Sequence, residues 1–154
     1  MFGPSRLKKI ILVDEAAMPT LTSDMTEEDK ENLGAFKDFT GLEEFIAGLR
    51  GSNSAAFTEG FVGAMLTANA SSDLKSFVLQ ENLKMPREYA ARLLFNHALI
   101  NWRYVIPRIN LPTLVIGGKA SIVPWTSQVW NHEQISGSEL EIFEENEGGS
   151  HLMF

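Results

Sequence analysis

The sequence predicts an α/β fold with parallel strands, and three observations carry that expectation. Ile10–Val13 and residues 113–116 are short, continuous runs of β-branched and aliphatic residues, the pattern of strands covered on both faces. A long stretch between them places its apolar residues at helical spacing. A third apolar segment, LEIFEE at 140–145, follows the second run after one helix length. Residues 113–145 therefore read as a strand–helix–strand unit, which implies a right-handed crossover.

The first strand needs the closest argument, because basic residues precede it and the start resembles a secretory leader. Its apolar run is only four residues long and stops at Asp14-Glu15, too short for a leader's apolar region. No apolar run in the chain approaches the roughly 20 residues that span a bilayer. A buried strand is the expectation.

Helices are expected from about residue 20 to 106. Thr26-Glu27-Glu28 has the acidic composition of a helix start, and Leu33, Phe36 and Phe39 follow at about helical spacing. Gly41 is expected to open a helix, GLEEFIAGLRG, which the turn residues Gly51-Ser52-Asn53-Ser54 close. Further helical patterns cover 57–68, 74–83 and, after Pro86, 87–99. The second strand is expected to end at Gly117-Gly118. Pro124 suits a first helical turn, and Val129, Trp130, His132 and Ile135 recur at helical spacing after it. The expected organisation is a core formed by 1–19 and 107–154, with 20–106 as a helical lid and connecting helix, because so long an insertion exceeds what a crossover requires.

Composition narrows the function. One domain is the default for 154 residues, and 44% apolar with 21% charged residues is globular rather than disordered. A net charge of -7 opposes an electrostatic hold on nucleic acid. The absence of cysteine rules out disulfides, thiolate metal sites and a cysteine nucleophile, and suits a cytoplasmic protein.

His151 is the first candidate for chemistry. It follows Glu145-Asn146-Glu147-Gly148-Gly149-Ser150, a Gly-rich loop directly after the third strand, where open α/β sheets place their ligands. Glycines there let the backbone turn and carry an imidazole to the rim; the plain alternative is a loop histidine with no role. Asp14 ends the first strand at the same sheet edge if the strands are parallel, and an aspartate there can orient an imidazole. Its plain alternative is a solvated strand-end carboxylate or a helix cap. Glu15 points elsewhere by strand alternation. His97, among Leu93, Leu94 and Leu99, reads as a core or lid histidine, and His132 as a packing or surface residue. The three histidines form no metal pattern, and no metal or cofactor is expected. Ser54, Ser121 and Ser150 lack the strand–turn–helix setting of a nucleophile, no G-x-S-x-G occurs, and Gly117-Gly118-Lys119 lacks phosphate-loop spacing.

Three stretches resemble one family. LKKIILVDEAAMP at 7–19, NWRYVIPRINLPTLVIGGKASIVPW at 101–125 and SELEIFEENEGGSHLMF at 138–154 are similar to the strand before the lid, the penultimate strand, and the last strand with its histidine loop in α/β-hydrolases. The resemblance implies the C-terminal portion of that fold, about three parallel strands with a helical lid inserted after the first, and makes His151 the general base. Family members usually carry the acid just beyond the penultimate strand, a position that falls here on Ala120, between Lys119 and Ser121. Haloalkane dehalogenases of one branch carry it instead after the strand before the lid, in a string similar to DEAAMP, which implies Asp14 as the acid.

The resemblance thus implies an esterase-like hydrolase acting on a small ester through a nucleophile–His–acid triad. The nucleophile is absent from this chain, which by itself is expected to be inactive. The alternatives are a dehalogenase-like hydrolase with an aspartate nucleophile, and a non-catalytic fragment or binding protein. The expected partners are a small-molecule substrate and a missing N-terminal half or partner chain, with neither nucleic acid nor membrane.

Overall fold

Three strands form one parallel sheet in chain order: β1 (Ile10–Val13), β2 (Thr113–Gly118) and β3 (Glu139–Phe143). The architecture is taken from a computed structural model that describes residues 7–153. Ile10 stands opposite Thr113 and Val13 opposite Ile116, while Leu114 stands opposite Glu139 and Gly118 opposite Phe143. All three strands therefore end at the same sheet edge, and loops leaving them there are neighbours.

Five helices separate β1 from β2: α1 (Glu27–Asn32), α2 (Phe39–Arg50), α3 (Ser54–Ala64), α4 (Ser72–Leu83) and α5 (Arg87–Ala98). A sixth, α6 (Trp125–Gln134), joins β2 to β3 and packs on both. Three helices start with side-chain caps, each accepting one of the backbone N–H groups a first turn leaves unpaired. Thr26 accepts from Asp29 N at 3.0 Å, Asp38 from Gly41 N at 2.8 Å and Ser71 from Leu74 N at 3.1 Å.

These caps correct several expected boundaries. Asp38 starts α2 at Phe39, so Gly41 is the third residue of that helix and not its first. Helix α3 starts at Ser54, directly after the turn, and ends at Ala64 rather than 68. There Met65 N bonds the carbonyls of both Phe61 and Val62, which tightens the last turn. The second strand does not stop before its glycines but runs through them, because a Cβ at Gly117 would collide with the Gln128 side chain of α6.

The apolar core is divided. Ala17, Leu33, Ile106, Val115 and Ile135 are buried together under the sheet, with Leu12, Trp130 and Leu140 packed around them. Leu42, Ile46, Leu49, Ala91 and Ala98 form a second cluster between α2 and α5. Strand β1 corrects the expectation of two covered faces. Ile11 is 63% and Val13 46% exposed, whereas Ile10 and Leu12 are half-buried. It is an edge strand in the described sheet, paired to β2 alone, and only one of its faces is covered. No helix among the described residues is long and apolar enough to cross a membrane.

Candidate active site

Asp14 is the first residue beyond β1, and its backbone leaves the strand abruptly. Its N–H still bonds Ile116 O at 2.8 Å, yet its φ of 53° is left-handed. Aspartate tolerates that region better than most residues, although left-handed backbone costs an L-residue about 1–2 kcal/mol. Two fully buried amides from α6 hold the bend. Asn131 Nδ2 and Gln128 Nε2 both donate to the carbonyl of Glu15, at 2.7 and 3.2 Å. The result is a carboxylate buried at the end of the sheet.

The loop carrying His151 arrives from β3. Glu145–Glu147 forms a single 3-10 turn, braced by Glu144 N donating to Glu147 Oε2 at 2.9 Å and followed by Gly148 at φ 85°. Gly149 then passes so close to the strand ends that no side chain fits: a Cβ there would strike the Phe143 carbonyl, and one at Gly118 would strike Gly149 itself. Ala120 N bonds Gly149 O at 2.8 Å, and Leu152 N bonds Met65 O at 2.9 Å, so the loop is tied to both the β2–α6 connection and the end of α3.

These two constructions bring His151 Nδ1 to 2.7 Å from Asp14 Oδ2. A carboxylate offers only acceptors, so Nδ1 carries the proton and donates. That fixes the tautomer of a neutral ring, with the lone pair on Nε2, which makes no hydrogen bond to a described residue. The imidazole keeps 28% of its side-chain surface while the Asp14 side chain has none. A buried acceptor behind a partly exposed ring whose Nε2 has no hydrogen bond to a described residue can serve as a base, able to take a proton at Nε2 and to have the resulting charge stabilised at Nδ1.

No family model matches the sequence, and no curated protein matches it either. Solved structures do match the fold. A bromoperoxidase from Bacillus anthracis is 22% identical, with a TM-score of 0.77 over 95% of this chain and 52% of its own. An esterase from Exiguobacterium antarcticum is 18% identical, with a TM-score of 0.79 over 94% of this chain and 53% of its own. An α/β-hydrolase enzyme from a deep-sea metagenome library of the Medee basin is 14% identical, with a TM-score of 0.66 over 92% of this chain and 50% of its own. The fold is that of the α/β-hydrolases. The chain spans about half the length of the α/β-hydrolase-fold structures it matches.

Within this portion of the α/β-hydrolase fold, the other candidates disperse. His97 is on the exposed side of α5, not in a core, with Nε2 3.9 Å from Glu15 Oε2. Its neighbours Leu93 and Leu99 are exposed as well. Ser138 Oγ donates to the His132 carbonyl at 3.1 Å, and His132 Nδ1 lies 2.8 Å from the same Ser138 Oγ, which is then left to accept from it. Ser150 is buried and donates to Leu152 O at 2.8 Å, and Ser54 opens α3.

Ser121 is the residue that sequence reasoning passed over. Its hydroxyl donates to Asp14 Oδ2, the oxygen that also receives His151. The available signal was its place beside Ala120, in the loop where a carboxylate is usual but none is present. Gln128 and Asn131 were missed too, since buried amides on a helix carry no signature of the backbone they hold.

A cavity of about 540 Å³ lies between α2 and α3, lined by Phe36, Phe45, Phe57, Phe61 and Gly60, and closed on one side by Ile122. Phe45 meets Phe36, Phe57 and Phe61 edge to face, at centroid distances of 5.5, 5.0 and 4.7 Å. Phe57 and Phe61 line this cavity, whereas the apolar side chains of Met65 and Trp102 do not. A larger groove of about 770 Å³ between α2 and α5 is lined by Glu43, Arg50 and Arg92, and includes nothing from the Asp14 or His151 loops.

Proposed function

We propose that this chain supplies the base, His151, and the acid, Asp14, of a nucleophile–His–acid hydrolase acting on a small ester. The single observation that carries the reading is the 2.7 Å contact between His151 Nδ1 and Asp14 Oδ2, with Nε2 left without a hydrogen bond to a described residue. In the proposed step, Nε2 removes the proton of a nucleophile as it attacks the ester carbonyl, and returns it to the departing alcohol. The nucleophile is to come from outside these 154 residues, in line with the absence of a G-x-S-x-G string and the half-length coverage of the matched structures. Pairing of a further segment or partner chain along the open edge of β1 fits its single strand neighbour in the described sheet, and packing on its uncovered face fits the exposure of Ile11 and Val13.

The cavity favours an uncharged, apolar acyl group. It is walled by aromatic rings, has no charged side chain, and its Ile122 wall adjoins Ser121, which contacts the acid. In this reading residues 20–106 act as the lid over that group, and the cysteine-free sequence suits a cytoplasmic protein.

A second reading, a dehalogenase-like hydrolase with an aspartate nucleophile, is favoured by one feature, the seat of the acid after β1 rather than after β2. The nucleophile discriminates the two, since serine transfers acyl groups and aspartate displaces halide. The test is turnover of p-nitrophenyl esters by the longest protein that contains these residues. His151→Ala is expected to abolish it; retained turnover overturns the assignment of the base.

A further inference from the structure

We infer that Ser121 is a positioning residue that sets the orientation of the Asp14 carboxylate, and through it that of the His151 ring. The inference rests on the base-and-acid reading above. A carboxylate held by one hydrogen bond can pivot about its Cβ–Cγ bond, and an imidazole hanging on it pivots too. A second donor arriving from a fixed direction removes that freedom, which is how groups surrounding a reacting side chain bring it to a productive geometry.

Ser121 has the required direction. Val123 N donates to its Oγ at 2.9 Å, occupying a lone pair and leaving the hydroxyl proton to point at Asp14 Oδ2. Its backbone is fixed as well: Ser121 N bonds Gly118 O at 3.2 Å, and the preceding Ala120 N bonds Gly149 O at 2.8 Å. The same short segment thus touches the acid through a side chain and the base's loop through the main chain. Asp14 Oδ1 offers no competing anchor, being buried without a hydrogen-bond partner among the described residues. Among the described residues, Oδ2 therefore carries both hydrogen bonds that hold the carboxylate, one from Ser121 and one from His151. Deleting the hydroxyl leaves a carboxylate tethered only to the ring it is meant to hold. The loop after β2 has no acid, and supplies the acid's donor.

The test is nitrogen-edited proton NMR of the longest protein that contains these residues, following the His151 Nδ1 proton, which a hydrogen bond to a carboxylate moves far downfield and protects from solvent exchange. Asp14→Asn assigns the resonance by removing the carboxylate. Ser121→Ala is expected to broaden the resonance or abolish it with the amide spectrum unchanged, and Ser121→Thr, which keeps the hydroxyl, to restore it. An unchanged resonance in Ser121→Ala overturns the inference and leaves the pair intact. A sharper resonance moved further downfield also overturns it, because the hydroxyl then only competes with the imidazole. Absence of the resonance from the unsubstituted chain removes the pair itself, and the inference with it. Should Ser121→Ala fail to fold, Ser121→Cys against Ser121→Thr makes the comparison: a weak donor is expected to broaden the resonance and a hydroxyl to keep it, and equal resonances overturn the inference.

Discussion

His151 donates from Nδ1 to Asp14 Oδ2 at 2.7 Å, a contact between residues 137 apart in the sequence. Aspartate and asparagine both tolerate the left-handed backbone at position 14, so Asp14→Asn keeps the bend while replacing an acceptor with an amide that can present a donor to Nδ1. The ring then takes the other tautomer, with its proton on Nε2. Turnover is expected to fall on the order of 10⁴-fold with little change in melting temperature. Steady-state kinetics beside a thermal melt measure both, and an Asp14→Asn protein as active as the original removes Asp14 from the mechanism.

Gly149 lies against the Phe143 and Glu144 main chain with no room for a methyl group. Backbone neighbours cannot give way as a flexible side chain can. Gly149→Ala is expected to lower stability by about 1–3 kcal/mol, the usual cost of overpacking, and to displace His151 from Asp14. A denaturant midpoint equal to that of the unsubstituted chain contradicts the close approach.

Gly60 presents the opposite case. It sits within α3, lines the aromatic cavity, and a Cβ built on it meets nothing within 4 Å. Gly60→Leu is expected to raise stability by roughly 0.5–1 kcal/mol through helix propensity. By narrowing the cavity, it is also expected to depress turnover of p-nitrophenyl esters with long or aromatic acyl groups while sparing the acetate. Equal losses across the series place the acyl group elsewhere.

Asn131 tests the bend from behind. Its Nδ2 donates to Glu15 O at 2.7 Å, but its Oδ1 is buried without a partner among the described residues. Asn131→Ala removes a useful donor and an unsatisfied acceptor together, and Gln128 continues to serve the same carbonyl. The two effects oppose, so the expected loss is about 1 kcal/mol rather than the 1–3 kcal/mol of stranding a buried group. Chemical denaturation measures it.

Glu88 gives a pH signature. Hydrogen bonds from Arg50, at 2.7 Å, and from Arg92, at 2.8 Å, hold its carboxyl below the ordinary glutamate value. A depressed carboxylate pKa contributes stability that is fully present above the unfolded-state value and is lost as pH falls through the lower folded value. The Glu88→Gln difference is therefore expected to be small, as for exposed pairs, present at neutral pH and gone in acid. A difference that grows on acidification reverses the sign and refutes the argument.

How far the sequence reaches depends on how local the cause is. The three strands were legible because apolar runs and the turn residues after them are neighbours in sequence. The strand-end place of Asp14 was legible from the run before it, whereas its proposed role drew its support from the vacancy at Ala120. Ser121 was not, because a serine in a loop has no pattern of its own and its partner is 107 residues away. The passage of β2 through Gly117-Gly118 was hidden for a related reason: these glycines read as a stop, and only the nearness of Gln128 and Gly149 shows that they keep the strand clear. The exposed face of β1 was hidden too, since a continuous apolar run looks the same whether one face is covered or two.

The parallel register of β1 and β2 has a consequence for how such a chain can change. Asp14 leaves one strand end, and Ser121 and one contact to the histidine loop leave the other, so the Asp14–His151 contact is referenced chiefly to the sheet, with one tie to the intervening helices through Met65 O. Entropy of joining the two strands grows only with the logarithm of the excursion between them, about 0.6 kcal/mol for each doubling. In loop-closure entropy, helices α1 to α5 are thus open to lengthening or trimming at little cost, so long as the buried clusters they carry are kept. The cavity they build can be rewritten while the contact between Asp14 and His151 stays where the strand ends put it.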